Sequence, residues 1–136
     1  MSSGIHDRVN ALLQATNVLG GYPGSLVCTE QGLLIASAGE TIDHDSLGGL
    51  VALFDDIRAR AESDLDLAPV DEFTLYVRQR WRLVVRPIVA EGATSRLFLV
   101  VLVPSSKTWR RHTNSLAKHL LEDLGPLLGL GGDDGA

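Results

Sequence analysis

The run Leu97-Phe98-Leu99-Val100-Val101-Leu102-Val103 constrains the fold more than any other part of this 136-residue sequence. Seven consecutive apolar residues are too few to cross a membrane and the right number for a strand. A strand with no polar side chain on either face cannot meet water on either side, so it belongs at the centre of a sheet with helices packed above and below. The segments before it define that sheet. Phe73, Leu75 and Val77 alternate with Thr74, Tyr76 and Arg78, the period of a strand with two distinct faces, and Trp81-Arg82-Leu83-Val84-Val85-Arg86 follows after a turn near Gln79 and Arg80. A further turn at Glu91-Gly92-Ala93-Thr94 leads into the apolar run. Connections this short cannot make parallel crossovers, so the three strands form an antiparallel meander.

Upstream, Ile5, Val9, Leu12, Leu13 and Thr16 recur at helical spacing and the helix should end at Gly20-Gly21. Ser25-Leu26-Val27-Cys28 and Leu33-Leu34-Ile35-Ala36-Ser37, separated by Glu30-Gln31-Gly32, read as a β-hairpin. A loop over residues 39–42 comes next, with Asp43 placed to cap a helix over residues 45–61. That middle helix carries two stripes. Leu47, Leu50, Val51, Phe54, Ile57 and Ala61 make a wide apolar face for a sheet, while Gly48, Ala52, Asp55 and Ala59 form a narrow band about 90° further round. Each glycine inside a helix costs roughly 1 kcal/mol relative to alanine, which suggests a packing reason for Gly48-Gly49. Contact with a second copy of the helix in a two-fold dimer would supply one; solvent-exposed positions of no special role are the plain alternative. A last helix over residues 106–124 presents Trp109, Leu116, Leu120, Leu124 and then Leu127 on one side; Gly125-Pro126 breaks it, and residues 129–136 are expected to be a disordered tail. The whole is an α+β chain with one domain, residues 1–128.

Several chemistries are disfavoured. The glycines at 20, 21 and 24 precede a strand rather than a Lys-Ser/Thr pair opening a helix, so they do not make a phosphate loop. His6, His44, His112 and His119 have no close metal spacing, and no G-x-S-x-G nucleophile elbow is present. No enzyme, cofactor or metal is expected. Cys28 lies alone in an apolar run, as a buried hydrophobe would, which suits a reducing compartment. The amino terminus lacks the pattern of a secretory signal, so a cytoplasmic location without membrane insertion is expected.

The net charge of −5 is unevenly spread: residues 40–72 hold ten acids against two bases, and residues 73–136 nine bases against five acids. Arg78, Arg80, Arg82 and Arg86 crowd one hairpin with Trp81 among them. Nucleic acid is a poor fit, because a base-stacking sheet wants several exposed aromatic residues and the chain has seven aromatics in all. Charges that keep an edge hairpin soluble, or a surface for a protein partner, fit better. Arg78, Arg80 and Arg82, with Asp56 and Arg60 on the middle helix, are the candidate partner surface.

In its helix, Gly20-Gly21-Tyr22-Pro23-Gly24-Ser25-Leu26-Val27 segment, Thr29-Glu30-Gln31-Gly32-Leu33-Leu34-Ile35-Ala36-Ser37 hairpin and Leu83-Val84-Val85-Arg86-Pro87-Ile88 strand, the chain resembles the Roadblock/dynein light chain domain family over residues 5–128, its MglB-like bacterial members in particular. The resemblance implies a five-stranded antiparallel sheet ordered 2-1-5-4-3, with the middle helix on one face and the terminal helices on the other. It implies a homodimer in which Phe73, Thr74, Leu75, Tyr76 and Val77 pair with their two-fold mates and the bands Gly48, Ala52, Asp55 and Ala59 meet. It also implies a non-catalytic module that regulates or scaffolds a Ras-like small GTPase; MglB-like members promote GTP hydrolysis without supplying an arginine finger. A small-molecule sensor of profilin, PAS or GAF type and a purely structural scaffold are the alternatives.

Overall fold

The computed structural model describes residues 2–39, 43–67, 69–77, 80–89 and 95–128. Helix α1 (Ser2–Gly20) leads to strands β1 (Gly24–Thr29) and β2 (Leu34–Gly39), helix α2 (His44–Ser63), strands β3 (Phe73–Val77), β4 (Trp81–Ile88) and β5 (Leu97–Pro104), helix α3 (Arg110–Leu124) and a 3₁₀ turn (Gly125–Leu128). The five strands form one sheet in the order β2-β1-β5-β4-β3, and every pairing is antiparallel.

The apolar run is central, as its composition requires. β5 pairs with β1 on one side, Leu26 opposite Val100, and with β4 on the other, Val85 opposite the same Val100. Alternation along β5 then feeds two separate cores. Leu97, Leu99, Val101 and Val103 point to a layer with Val9 and Leu13 of α1 and Leu116, Leu120 and Leu124 of α3. Phe98 and Val100 point to the opposite layer, with Leu47, Val51 and Phe54 of α2. Phe98, Leu99, Val100 and Val101 are completely buried, so neither face of the strand needs polar residues.

Helix ends follow local chemistry with some departures from the sequence expectation. α1 stops at Gly20 because Gly21 takes φ +73, open to glycine and strained for other residues. Asp43 sits just before α2, accepts the Leu47 N–H on its carbonyl at 3.0 Å and the Ser46 hydroxyl on its carboxylate at 2.8 Å. Gly39 closes β2 at φ +84 rather than opening a loop. α3 begins at Arg110, four residues later than its apolar pattern suggests: residues 105–107 turn, with the Lys107 N–H on the Pro104 carbonyl at 2.9 Å, and Tyr22 Oη then donates to the Thr108 carbonyl at 2.7 Å. Gly125 stays right-handed, so the chain tightens into the 3₁₀ turn instead of reversing. The expected turn at 91–94, the tail at 129–136 and the Leu127 side chain lie outside what is described.

Candidate interaction surface

Among the described residues β3 pairs with β4 alone, and its large exposed side chains are Leu75, Tyr76 and Val77. Register puts Phe73, Leu75 and Val77 on the α2 face, opposite Val85, Leu83 and Trp81. Phe73 is covered, its ring stacked on Phe54 of α2 with centroids 4.9 Å apart. Leu75 and Val77 are exposed, and register continues the row from Leu75 to the half-buried Leu83 and Leu102, Leu83 packing against the α2-side core. On the opposite face Thr74 donates its hydroxyl to Glu72 at 2.8 Å, and Tyr76, 67% exposed, lies under the Arg82 guanidinium at 4.2 Å. One Arg82 nitrogen, Nη1, is buried without a hydrogen-bond partner.

The helix beside this edge departs from the expected pattern. Ile57, placed on the core face by its spacing, is exposed: Phe54 already stacks on Phe73 of the edge strand, and among the described residues no strand lies beyond β3. Leu53, four residues before it, is 61% exposed. Together they make an outward apolar pair at i, i+4 on α2. The small band divides into two kinds of residue. Ala52 and Ala59 are exposed on α2. Gly48 instead faces Gly32 of the β1–β2 turn; a Cβ on Gly48 would stand 2.8 Å from the Gly32 carbonyl oxygen. Its lack of a side chain thus has a reason within the chain.

Asp55, the fourth member, is held by arginines. Arg96 donates to both carboxylate oxygens at 2.8 Å, and Arg58 donates to Oδ1 at 3.1 Å. Arg96 also reaches Glu30 at 3.1 Å, while Arg58 pairs with Glu62 at 2.7 Å and Glu62 accepts the Val70 N–H at 2.8 Å. The Arg96 hydrogen bonds, ahead of the burial that opposes them and the weaker pull of Arg58, hold the Asp55 carboxyl below the usual carboxylate range. The network binds α2 to the hairpin turn, to the start of β5 and to the linker before β3. Asp56 and Arg60 form an exposed pair at 3.1 Å beside it. Arg80 is exposed in the β3–β4 turn, where its carbonyl accepts the Ser105 N–H at 2.9 Å; Arg78 lies outside the described residues.

The structure therefore brings Ala52, Ala59, Leu75, Tyr76 and Val77 to solvent, and engages Gly48, Asp55 and Phe73 internally. Leu53 and Ile57 are the surface residues that sequence reasoning missed, although Leu53 was visible as an apolar residue off the core stripe.

Other features offer little for chemistry. Burial pushes the Cys28 thiol up to about 12, which leaves it protonated and unreactive. Among the described residues no group of three or more His, Cys, Asp and Glu is placed to hold a metal ion, and no helix is long and apolar enough to cross a membrane. A largely apolar cavity of about 210 Å³ lies among Thr29, Ile35, Arg96, Leu97 and Leu124. That is below the roughly 300–1,000 Å³ of pockets that enclose small ligands, whereas a more open, polar cleft of about 600 Å³ lies among Asp71, Glu72, Thr74, Arg86, Arg110 and Asn114.

No protein-family model matches the chain, and no curated protein matches it in sequence. The likeness is in three dimensions. A Myxococcus xanthus MglB structure superposes with a TM-score of 0.75 at 20% identity, covering 86% of this chain and 87% of that one. An "MglB with tetrameric arrangement" gives 0.74 at 19% identity, over 88% and 89%. A Roadblock/LC7 domain from Streptomyces avermitilis gives 0.70 at 16% identity, over 85% and 96%. Strand order, helix placement and these superpositions agree: the chain has the Roadblock/LC7 fold.

Proposed function

We propose that the protein is a non-catalytic homodimeric module that regulates or scaffolds a Ras-like small GTPase. The observation that carries the reading is the exposed apolar surface made by the open edge of β3 and the outer side of α2, with Leu53, Ile57, Leu75, Tyr76 and Val77. Large apolar side chains left exposed on an edge strand and on the helix beside it mark a surface suited to a protein partner. Pairing β3 with its two-fold mate gives each copy backbone partners and makes a ten-stranded sheet. A five-residue strand pair is far smaller than the roughly 1,200–2,000 Å² of a stable interface, so the α2 helices must supply the remainder. Ala52 and Ala59 allow their close approach.

The step to a GTPase rests on the resemblance and on the MglB structures that share the fold. A dimer with an extended surface is suited to hold a partner's switch segments in one arrangement, which biases their population without this chain taking part in the bond chemistry. The test has two parts. Light scattering should give a dimer for the wild type and a smaller mass for Ala52→Leu. Pull-down against Ras-like GTPases encoded beside this chain, each loaded with GDP or a GTP analogue, should then retain one of them in a nucleotide-dependent way. Retention of none would refute the GTPase role, and a monomeric wild type would refute the dimer.

A further inference from the structure

Two further apolar patches use residues other than those of the α2–β3 surface. The first is at the end of the domain where α1 finishes and α3 begins. Val18 and Leu19 are 81% and 72% exposed, and with the exposed Ala11 and Ala15 they form one stripe at i, i+4, i+7 and i+8 of α1. A solvent-facing helix stripe ordinarily carries polar side chains. Cations gather at the same end. The Lys107 side chain lies against Gly21, 3.1 Å from where a Cβ would stand, and Arg111 is exposed in the first turn of α3. Tyr22 joins the two helices there, with its hydroxyl on the Thr108 carbonyl and its ring 6.1 Å from that of His112. Arg111 stands at the positive end of the α3 dipole, where an anion is favoured.

The second patch is the loop after α2, Asp64-Leu65-Asp66-Leu67, in which all four residues are exposed. Its backbone is fixed. Asp64 N–H donates to Arg60 O at 2.8 Å and Leu67 N–H to Ala61 O at 3.3 Å, and Asp66 takes the left-handed conformation at φ 52 that aspartate tolerates. Two leucines and two carboxylates are therefore presented on a shaped turn.

We propose that the acidic leucine loop of one copy docks on the basic apolar end of another, a head-to-tail contact separate from the α2–β3 surface. Each patch offers an aliphatic pair flanked by charges, and the charges are of opposite sign. Being heterologous, the contact extends into chains or closes into rings rather than saturating at two copies. Its charges are exposed, so the association strengthens as salt is lowered.

Sedimentation velocity on the full chain at low and high salt tests this. For the wild type, the mass at low salt should reach about twice or more the high-salt value. Lys107→Glu with Arg111→Glu, or Asp64→Lys with Asp66→Lys, should each keep its high-salt mass at both salts. An equal mixture of the two variants should assemble again, because an unaltered loop then meets an unaltered end. Val18→Ser with Leu19→Ser should lose the association with no change in charge. A wild-type mass that ignores salt, or reversed variants that assemble alone as the wild type does, would overturn the proposal. Thermal melts and high-salt masses check that each variant is folded. Loss of the high-salt dimer in a β3 variant bears on the α2–β3 surface alone.

Discussion

β2 and β3 each have a strand on one side only, yet the chain treats their free sides differently. At β2 the register shifts beside Val27 and Cys28, leaving Ile35 bulged out of the ladder. His6 of α1, as its Nδ1–H tautomer, donates to the Ile35 carbonyl at 3.1 Å, and Asn17 of α1 donates to the Ala38 carbonyl at 3.2 Å. A helix thus lends side chains to that strand. At β3 the outward residues are Leu75, Tyr76 and Val77, and the adjoining helix adds Leu53 and Ile57. The difference teaches that edge position alone does not make a pairing site. What the neighbouring helix offers, polar partners or more apolar surface, decides whether the free side of a strand is covered or left exposed.

The largest expected effect tests that contrast directly. Leu75→Asp with Val77→Asp should raise the dimer dissociation constant about 100-fold, as loss of interface anchors does, whereas Leu34→Asp on β2 should leave the mass unchanged. Dissociation by the β2 variant instead would break the comparison. Next comes Gly48→Ala, which forces a methyl group onto the Gly32 backbone and should destabilise the monomer fold by about 1–3 kcal/mol in denaturant titration. Ala52→Leu, on the same helix, should change stability by less than about 0.5 kcal/mol and act on mass alone.

Asp55→Asn should cost about 1–2 kcal/mol, less than for a fully buried pair because both partners keep some solvent. The sign with pH follows from the lowered carboxyl. Its contribution is complete above the ordinary carboxylate value near about 4 and is lost as pH falls through the lower folded value, so Asp55→Asn should flatten the acid limb of a stability profile. Asn17→Ala, which frees the Ala38 carbonyl, should lower stability by about 1 kcal/mol with no change in mass.

The sheet was legible because its central strand is apolar on both faces and its neighbours alternate, signals carried within eight residues or fewer. What was not legible depends on distant partners. Gly48 lacks a side chain because of Gly32, and Asp55 is shaped by Arg96, 41 positions away. Spacing put Ile57 on the core face, yet it is exposed, because periodicity does not say how much of a helix the sheet beneath it covers. Glu72 holds the Trp109 indole N–H at 3.1 Å, 37 positions away, and nothing near either residue announces it.

The position of β5 also sets an order of events. Its two ladder partners lie earlier in the chain, β1 in one hairpin with β2 and β4 in another with β3. Each hairpin is local and can close early, but a lone two-stranded hairpin is marginal in water. In chain order, residues 97–104 come after both hairpins, so the five-stranded sheet cannot be complete before they are present, and α3 comes after them. The last strand made is the one that makes the others a sheet, so a nascent chain that stalls before it would expose two sticky hairpins at once.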